Sequence, residues 1–467
     1  MPGSFFGIEI GLRGLRAHQQ ALDVVAHNVA NASAPGYTRQ EARMQATQSQ
    51  SVPGQAGQFG SGVTVYEIQR MRDVFLDDQM RSEQASYGKF NALKKGLDEI
   101  QTFFNEPSDL GLGSVMDKFW ASLQDVANNP ESDGFRRTAV QAGEALAEAF
   151  RHTRKQLADL QLSITTTVRE QVSEMNLLAQ QIAKANSQIS EIGTIPGEQP
   201  NDLKDKRDLL IDRLAGLVKI NATADTTSSV SITIGNVMLV AGASAKEAVF
   251  SDAGGEPHLL VGGAEVITPG SPGDLGGESG GLLNLRDSIL PAYCGDLDTL
   301  AEKIVSETNA LHRAGWGLGD AVHVERDFFS GTDARTISVS AALSSDPSKL
   351  AASRNGLQGD GSVALQMARV KENLVMRGAT ATFSDFLRGV VGRLGVQAQE
   401  AQRFVENETL LIKQIENHRQ DVQGVSIDEE MSNMVRFQHA YTACARIITA
   451  FDEALSTLIE RTGVVGR

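Results

Sequence analysis

The apolar residues near the carboxyl end of the chain follow a helical repeat. They fall in alternating steps of three and four residues, the spacing of a helix that buries one narrow stripe against another helix. Gly424 interrupts the preceding segment, and Ser426 with Glu429 has the spacing of a capping box. The pattern predicts a helix over 427–459. Its stripe consists of Met434, Phe437, Tyr441, Cys444, Ile448, Phe451, Leu455 and Leu458.

The amino-terminal segment has the same spacing, with one polar member in the stripe. Each stripe needs a partner, and the simplest solution is that the two ends of the chain pair with each other. The polypeptide between them would then sit on a stalk made of its own termini. The amino-terminal stripe consists of Ile8, Leu12, Leu15, Gln19, Leu22, Ala26 and Val29.

The longest predicted helix lies in the first half of the chain. Between 135 and 192 there is no proline, and Gly143 is the single glycine. Gly193 and Pro196 follow as stop signals. At about 1.5 Å per residue this helix would reach roughly 90 Å, which is the length of a rod. Further helices are predicted at 73–104, 114–127, 282–314 and 382–422.

The period of the pattern changes from helical to two at about residue 219. Val230, Ile232 and Ile234 alternate with Ser and Thr, and Gly235-Asn236 is typical of a two-residue hairpin turn. The glycine-rich run 270–281 lacks the Gly-Lys-Ser/Thr of a phosphate-binding loop, so we expect it to be a flexible return from the strands. More strands are expected at 248–250, 258–261 and 264–268.

The predicted fold class is mainly α with an inserted small β domain. Long coiled-coil-like helices come from both chain termini, and other helices form a shaft layer. The predicted segments are 1–70, an amino-terminal helix and extended linker that pairs with 425–467; 71–218, a long-helix shaft domain; 219–281, the inserted β domain; 282–424, return helices of the shaft with a short mixed segment at 328–378; and 425–467, the carboxyl-terminal helix.

Composition narrows the possible functions. The 467 residues carry a net charge of −15, which argues against binding to a phosphate backbone. There is no apolar run of the length that a membrane-spanning helix needs, so we expect no membrane insertion. The first residues lack the basic and apolar regions of a secretory signal peptide. Two cysteines, Cys294 and Cys444, cannot form a disulfide framework; a single bridge between them is possible but not expected.

We find no motif of catalytic, cofactor or metal chemistry. None of the eight histidines lies in an H-E-x-x-H sequence. Asp205, Asp208 and Asp212 fall on one helical face, but Lys204 and Arg207 lie between them. We expect a charged helix face in solvent there, not a cation site. The sequence therefore predicts no enzyme, no cofactor and no metal.

Several segments resemble a known family. Residues 27–40 (HNVANASAPGYTRQ) resemble the amino-terminal motif of axial proteins of the bacterial flagellum, and the Pro-Gly-Tyr-Thr-Arg-Gln ending is most similar to the hook-associated protein 1 family. Residues 424–459 are similar to the carboxyl-terminal helix of that family. The segments 62–81, 200–208 and 309–315 also resemble it, in the same order.

The resemblance implies a structural adaptor between the flagellar hook and filament. It implies as partners the hook protein, a second hook–filament junction protein, a flagellar export chaperone on the carboxyl-terminal helix, and copies of the chain in a ring. It implies secretion through the flagellar channel to the flagellum, without a cleaved signal peptide. The alternatives are a filament or hook subunit, or an adhesin or enzyme carried on the flagellum with its site in the β domain.

The expected assembly contacts are apolar residues of the two terminal stripes. For each of them a purely intramolecular role is the alternative. They are Leu12, Leu15, Leu22, Val29, Met434, Phe437, Tyr441, Ile448, Phe451, Leu455 and Leu458.

Overall fold

The computed structural model describes residues 6–51, 58–195, 197–225, 229–252, 258–267 and 275–461. The helices are α1 (Phe6–Asn31), α2 (Val74–Phe104), α3 (Leu112–Asn128), α4 (Asp133–Gly193), α5 (Asn201–Leu217), α6 (Gly277–Asn284), α7 (Leu290–Arg313), α8 (Ala341–Ser345), α9 (Ser362–Arg369), α10 (Phe383–Gln423) and α11 (Ile427–Arg461). A π-helical turn, Leu285–Ile289, joins α6 to α7.

The strands are short and antiparallel. They are β1 (Gln40–Ala46), β2 (Gln50–Ser51), β3 (Gln58–Phe59), β4 (Val63–Arg70), β5 (Ile220–Ala224), β6 (Val230–Ile234), β7 (Val237–Ala241), β8 (Ser244–Ala245), β9 (Ala248–Ser251), β10 (His258–Val261), β11 (Ala264–Ile267), β12 (Phe329–Ser330) and β13 (Ser338–Val339).

Long helices form the body of the molecule, which we call the shaft: α2, α3, α4, α5, α7 and α10. The helix α4 has 61 residues and at about 1.5 Å each extends roughly 90 Å. Its apolar stripe, which includes Val168, Met175 and Ile182, is buried along the core of the shaft. The predicted mainly α fold class with an inserted small sheet region is confirmed.

One cluster of aromatic side chains lies where α3 meets the segment after α7 and the start of α10. Phe119 on α3 lies 4.8 Å from Trp120 and 5.4 Å from Phe328, measured between ring centroids. Trp120 stacks at 6.0 Å on Phe383, the first residue of α10. These rings anchor the irregular segment after α7 against α3 and α10.

The β domain contains two antiparallel sheets, with strand orders β5-β6-β7-β8 and β11-β10-β9. The β6–β7 turn at Gly235 has φ +56°, the left-handed conformation that glycine favours. Asn176 and Asn186 of α4 bind the sheets: the Asn186 amide donates to the carbonyls of Val230 and Gly242 at 2.8 Å each. The β domain is thus fastened along the long helix.

The glycine-rich run after the β domain is not simply a flexible return. Its last residues begin α6, and this part of the expectation was wrong; residues 270–274 lie outside the described residues. The glycines permit close helix packing, because a Cβ on Gly281 would meet the backbone of Lys89 on α2. A Cβ on Gly88 would lie 2.6 Å from the Gly216 carbonyl oxygen of α5.

The two ends of the chain form a unit of their own, which we call the terminal module: α1, β1, β4 and α11. The helices α1 and α11 lie antiparallel, and the hairpin of β1 and β4 lies along α1. At the start of α11 the Glu429 amide donates to Ser426 Oγ at 3.4 Å, one half of the predicted capping box. Within the described ranges, no helix combines the length and apolar character that crossing a membrane requires.

Candidate assembly surface

The side of α1 that contacts α11 is built from very small residues. A Cβ on Gly11 would lie 2.8 Å from Ile448 Cγ1, and one on Gly14 would lie 2.8 Å from Cys444 Sγ. The Phe451 ring covers Gly7 in the same way. One helix therefore offers almost no side chain, and the bulky stripe of the other fills that space.

The prediction that the leucine stripe of α1 pairs with α11 was wrong. The α1 residues that are buried are Gly11, Gly14, Ala17, Ala21, Val24, Val25 and Asn28. Leu12, Leu15, Leu22 and Val29 each follow a member of this set by one position, so they are turned about 100° around the helix. The apolar periodicity was real, but glycines facing a partner leave no apolar signal.

The leucine stripe of α1 is consequently left partly open to solvent. Leu12 is 38% exposed, and Leu15, Leu22 and Val29 are half-buried. They lie on the flank of the glycine side that is turned away from the hairpin, because Ile10 and Arg13 face the hairpin on the opposite flank. A run of exposed and half-exposed apolar residues along one helix marks a surface that gains from further burial.

The stripe of α11 lies on the side predicted for it, but α1 covers it incompletely. Phe437 approaches the His18 ring of α1 at 6.2 Å, and Ile448 and Phe451 lie against glycines. Yet Phe451 remains 40% exposed and Leu458 59%. Met434, Tyr441 and Leu455 are half-buried. Contacts of all these residues with another subunit remain a prediction.

The turn after α1 is tied to the start of α11 by buried polar side chains. Asn28 donates to the Gln40 carbonyl at 2.8 Å and to Glu430 Oε2 at 3.1 Å. Arg39 donates to the other oxygen of Glu430 at 2.8 Å. The Tyr37 hydroxyl donates to Asn28 Oδ1 at 2.8 Å. The segment 27–40 therefore closes the base of the terminal module.

The aspartates of α5 are not on a solvated face, and that expectation was wrong. Asp205 and Asp208 are buried, and Arg70 Nη1 lies 2.7 Å and 2.9 Å from a carboxylate oxygen of each. Arg72 also pairs with Asp208. Burial alone would raise the pKa of Asp208, but Arg72 and Arg70 hold it below its ordinary value. The arginines lie at the end of β4 and just after it, so the local sequence of α5 gives no sign that its aspartates are paired.

A second buried polar cluster fixes the irregular segment after α7. Asn309 Oδ1 accepts from the amides of Phe328 and Phe329, both at 2.9 Å. The His312 ring donates from Nδ1 to the Arg326 carbonyl at 2.7 Å and accepts at Nε2 from the Ala351 amide at 3.0 Å. The segment 309–315, which resembles the family, thus fixes the backbone at this end of the shaft.

The thiols of Cys294 and Cys444 are both free.

Comparisons with known proteins agree with this architecture. Residues 97–329 match the model of the flagellar hook-associated protein FlgK helical domain, residues 8–38 that of the flagella basal body rod protein, and residues 422–461 that of the flagellar basal body rod FlgEFG protein C-terminal region. Flagellar hook-associated protein 1 of Bacillus subtilis strain 168 is 33% identical over all of this chain and all of its own length.

The chain belongs to the flagellar hook-associated protein 1 family. It is therefore a structural component of the bacterial flagellum, as the resemblance implied. The member from Escherichia coli K12 is 24% identical over 97% of this chain and 99% of its own length. A solved structure, the flagellar hook junction protein FlgK from Burkholderia pseudomallei, has a TM-score of 0.64 at 15% identity and covers 75% of this chain and 100% of its own. At that identity it shows the shared fold.

The family assignment accounts for the two ends of the chain as well as the middle. The amino-terminal match, 8–38, spans α1 and the turn that carries Tyr37, while the carboxyl-terminal match, 422–461, spans α11. In this member of the hook-associated protein 1 family, the matched ends are the segments that make up the terminal module.

Proposed function

We propose that this chain is a junction subunit between hook and filament, and that copies assemble by packing their terminal modules side by side. The observation that carries the proposal is the one-sided pairing of α1 and α11. Glycines of α1 face α11 within the chain, which leaves Leu12, Leu15 and Leu22 of α1 available to another subunit.

The energetics favour burial between copies. Two helices that share one narrow contact are marginal in water, because most helical stability in proteins comes from packing of an apolar face. Fully burying a leucine contributes about 1.5–3 kcal/mol, so a few outward residues supply a substantial association energy for each neighbour. Phe451 and Leu458, toward the far end of α11, are also exposed apolar residues.

The proposed division of the chain follows from this packing. Residues 1–70 and 425–467 would form the inner, assembling unit, and 71–218 with 282–424 the shaft, which includes the mixed segment 328–378. The β domain, 219–281, would face outward. In this scheme Val29, Met434, Phe437, Tyr441, Ile448 and Leu455 support the pair from within or at its edges.

The proposed partners are proteins. They are the hook protein, a second hook–filament junction protein, copies of this chain in a ring, and an export chaperone that covers α11 before assembly. The exposed Met431, Val435 and Ile447 on other faces of α11 offer apolar surface for such a chaperone. The chain would leave the cell through the flagellar channel without a cleaved signal peptide, and its role would be structural, not catalytic.

The outward stripe can be tested by charge insertion. Leu12→Glu with Leu15→Glu should abolish assembly at the hook tip, because each carboxylate would have to be desolvated between subunits. Both positions flank the glycine contact, so the helical content by circular dichroism should change little. Gln20→Glu, at an exposed polar position of α1 outside the stripe, is the matched control and should assemble normally.

Two results would count against the proposal. One is normal incorporation of the Leu12→Glu, Leu15→Glu chain. The other is equal loss of assembly in Gln20→Glu, which would mean that charge anywhere on α1 is harmful and that the leucines have no special role.

A further inference from the structure

The shaft and the terminal module meet at a narrow joint built from polar groups. On the shaft side the joint consists of the first two turns of α5 and the last residue of α10, Gln423, whose carbonyl accepts from the Arg39 amide at 2.9 Å. On the terminal side it consists of the turn 36–40 and the end of β4. Among the described residues, two open clefts flank it, of about 560 and 440 Å³. The helices of the two units are therefore not packed broadly against each other here.

One carboxylate of α5 holds both strands of the hairpin at their root. Asp205 accepts from the Thr38 amide at 3.0 Å and from the Thr38 hydroxyl at 2.6 Å. It also accepts from Arg70 at 2.7 Å, at the last residue of β4. Since Thr38 precedes β1, a single buried side chain fixes the entry and the exit of the hairpin.

The next carboxylate along α5 secures the exit into α2. Asp208 pairs with Arg70 and Arg72, and Arg72 also pairs with Asp77 in the first turn of α2. At the start of α5, the Asn201 side chain donates to the Ile68 carbonyl at 2.8 Å. These contacts are directional hydrogen bonds and ion pairs, so they fix an angle as well as a distance.

We propose that Asp205 and Asp208 form a latch, that is, a pair of buried carboxylates that holds the terminal module in a fixed orientation on the shaft. The two segments that carry the family resemblance on either side, 27–40 and 200–208, are on this account the two halves of the latch. Its role is to keep the base of the terminal module ordered before the outer ends of α1 and α11 find their partners. This inference goes beyond the proposed assembly role and does not depend on which neighbour covers the leucine stripe.

The same helix supplies a matched control. Asp212 lies one turn beyond Asp208 on the same face of α5 and is also ion-paired, at 2.8 Å to Arg81 and 3.3 Å to Arg419. Those partners belong to α2 and α10 of the shaft. Asp212→Asn therefore removes a comparable charge from the same helix without touching the hairpin root.

The experiment is hydrogen exchange of the full chain in dilute solution, read at the hairpin root (40–43 and 67–70) and along α4. In the native chain we expect the root to be protected. In Asp205→Asn, Asp208→Asn its exchange should accelerate at least about a hundredfold, because removing one partner of a buried ion pair leaves the other uncompensated. Protection of α4 should be kept. Asp212→Asn should leave the root within about threefold of the native rate.

A milder variant covers the case in which the double aspartate variant loses its fold. Thr38→Val removes only the hydroxyl bond to Asp205 and should accelerate root exchange about tenfold with the shaft intact. The latch is excluded by an unprotected root in the native chain, by unchanged root exchange in Thr38→Val, or by equal acceleration in Asp212→Asn. Fast exchange of α1 at 7–20 tests the assembly proposal and not the latch, so the two can fail separately.

Discussion

At the scale of single residues, buried polar groups with defined partners carry the architecture. The buried Glu430 carboxylate pairs with Arg39 and accepts a hydrogen bond from Asn28, so it joins α11 to α1 and to the residue before β1. Arg136 is also buried, and it donates to the carbonyls of Pro130 and Ser348. Burial lowers the pKa of Arg136 to about 10, which still leaves it charged at neutral pH. Such groups fix irregular backbone where helices end.

His312 makes the stability of the shaft dependent on pH. Burial lowers the pKa of its ring to about 4, from 6.5, and the ring accepts a hydrogen bond that only the neutral form can accept. The unfolded chain therefore binds more protons between these values. We expect the contribution of His312 to the free energy of unfolding to be present in full above pH 6.5. It should fall by about 3 kcal/mol as the pH drops to 4.

Urea unfolding of the native chain from pH 7 to pH 4 measures this loss. His312→Gln should be less stable at pH 7 and should have a flatter profile in that window. His152→Gln, at an exposed position of α4, should keep the native profile. An identical slope in the native chain and His312→Gln would show that other groups cause the pH dependence.

The contact of Gly11 with Ile448 predicts that the effect of Gly11→Ala on the stability of α1 changes sign with the residue at position 448. Gly11→Ala places a methyl group 2.8 Å from Ile448 Cγ1, and a β-branched side chain cannot easily turn away. We expect pairing to weaken, although alanine alone favours a helix by about 1 kcal/mol. In an Ile448→Ala background the same substitution should strengthen α1.

Local opening of α1, measured by hydrogen exchange in the four chains of this double-mutant cycle, gives the coupling. The coupling energy between the two substitutions should be about 1–3 kcal/mol, with the doubly substituted chain more stable than additive effects would give. Additive effects would mean that Gly11 and Ile448 do not meet in solution.

At the scale of elements, periodicity predicted the long helices closely. The bounds of α4, α10 and α11 lie within two residues of those expected, and the β6–β7 hairpin turns at Gly235 as its sequence indicated. These elements are decided by their own residues: apolar stripes at helical spacing, a glycine stop and a turn dipeptide. Nothing distant in the sequence competes with them.

The candidate surface could be predicted only in part, for identifiable reasons. The stripe of α1 was out of phase by one residue, because the glycines that face α11 are invisible to an apolar count. The aspartates of α5 were assigned to solvent, because their arginine partners lie more than 130 residues away in the sequence. Both errors concern contacts that only the tertiary fold brings together.

A truncation within α11 tests whether the shaft folds without the helix that is proposed to assemble. Deleting residues from Met434 onward removes most of α11 and uncovers the glycine side of α1, but it takes nothing from the core of the shaft. Thermal unfolding of the shaft should keep its midpoint, while joining of hook to filament should be lost. A truncated chain that still joins the two would contradict the proposed role of the terminal module.

At the scale of the whole molecule, the chain combines a self-sufficient shaft with ends that are buried only partly. The shaft has a continuous core that extends into the β domain, whereas α1 and α11 pack against each other outside that core. The net charge of −15 keeps free copies apart through mutual repulsion and favours solubility. In the proposed assembly, burial of the apolar surface of the terminal module would have to overcome that repulsion.

The central claim is that the outer ends of α1 and α11 gain full burial only between copies. Hydrogen exchange at 7–20 and 440–460, compared between the dilute chain and the assembled flagellar junction, tests it most directly. The account predicts exchange within seconds in the dilute chain and strong protection after assembly. Equal, strong protection of both segments in the dilute chain would contradict it.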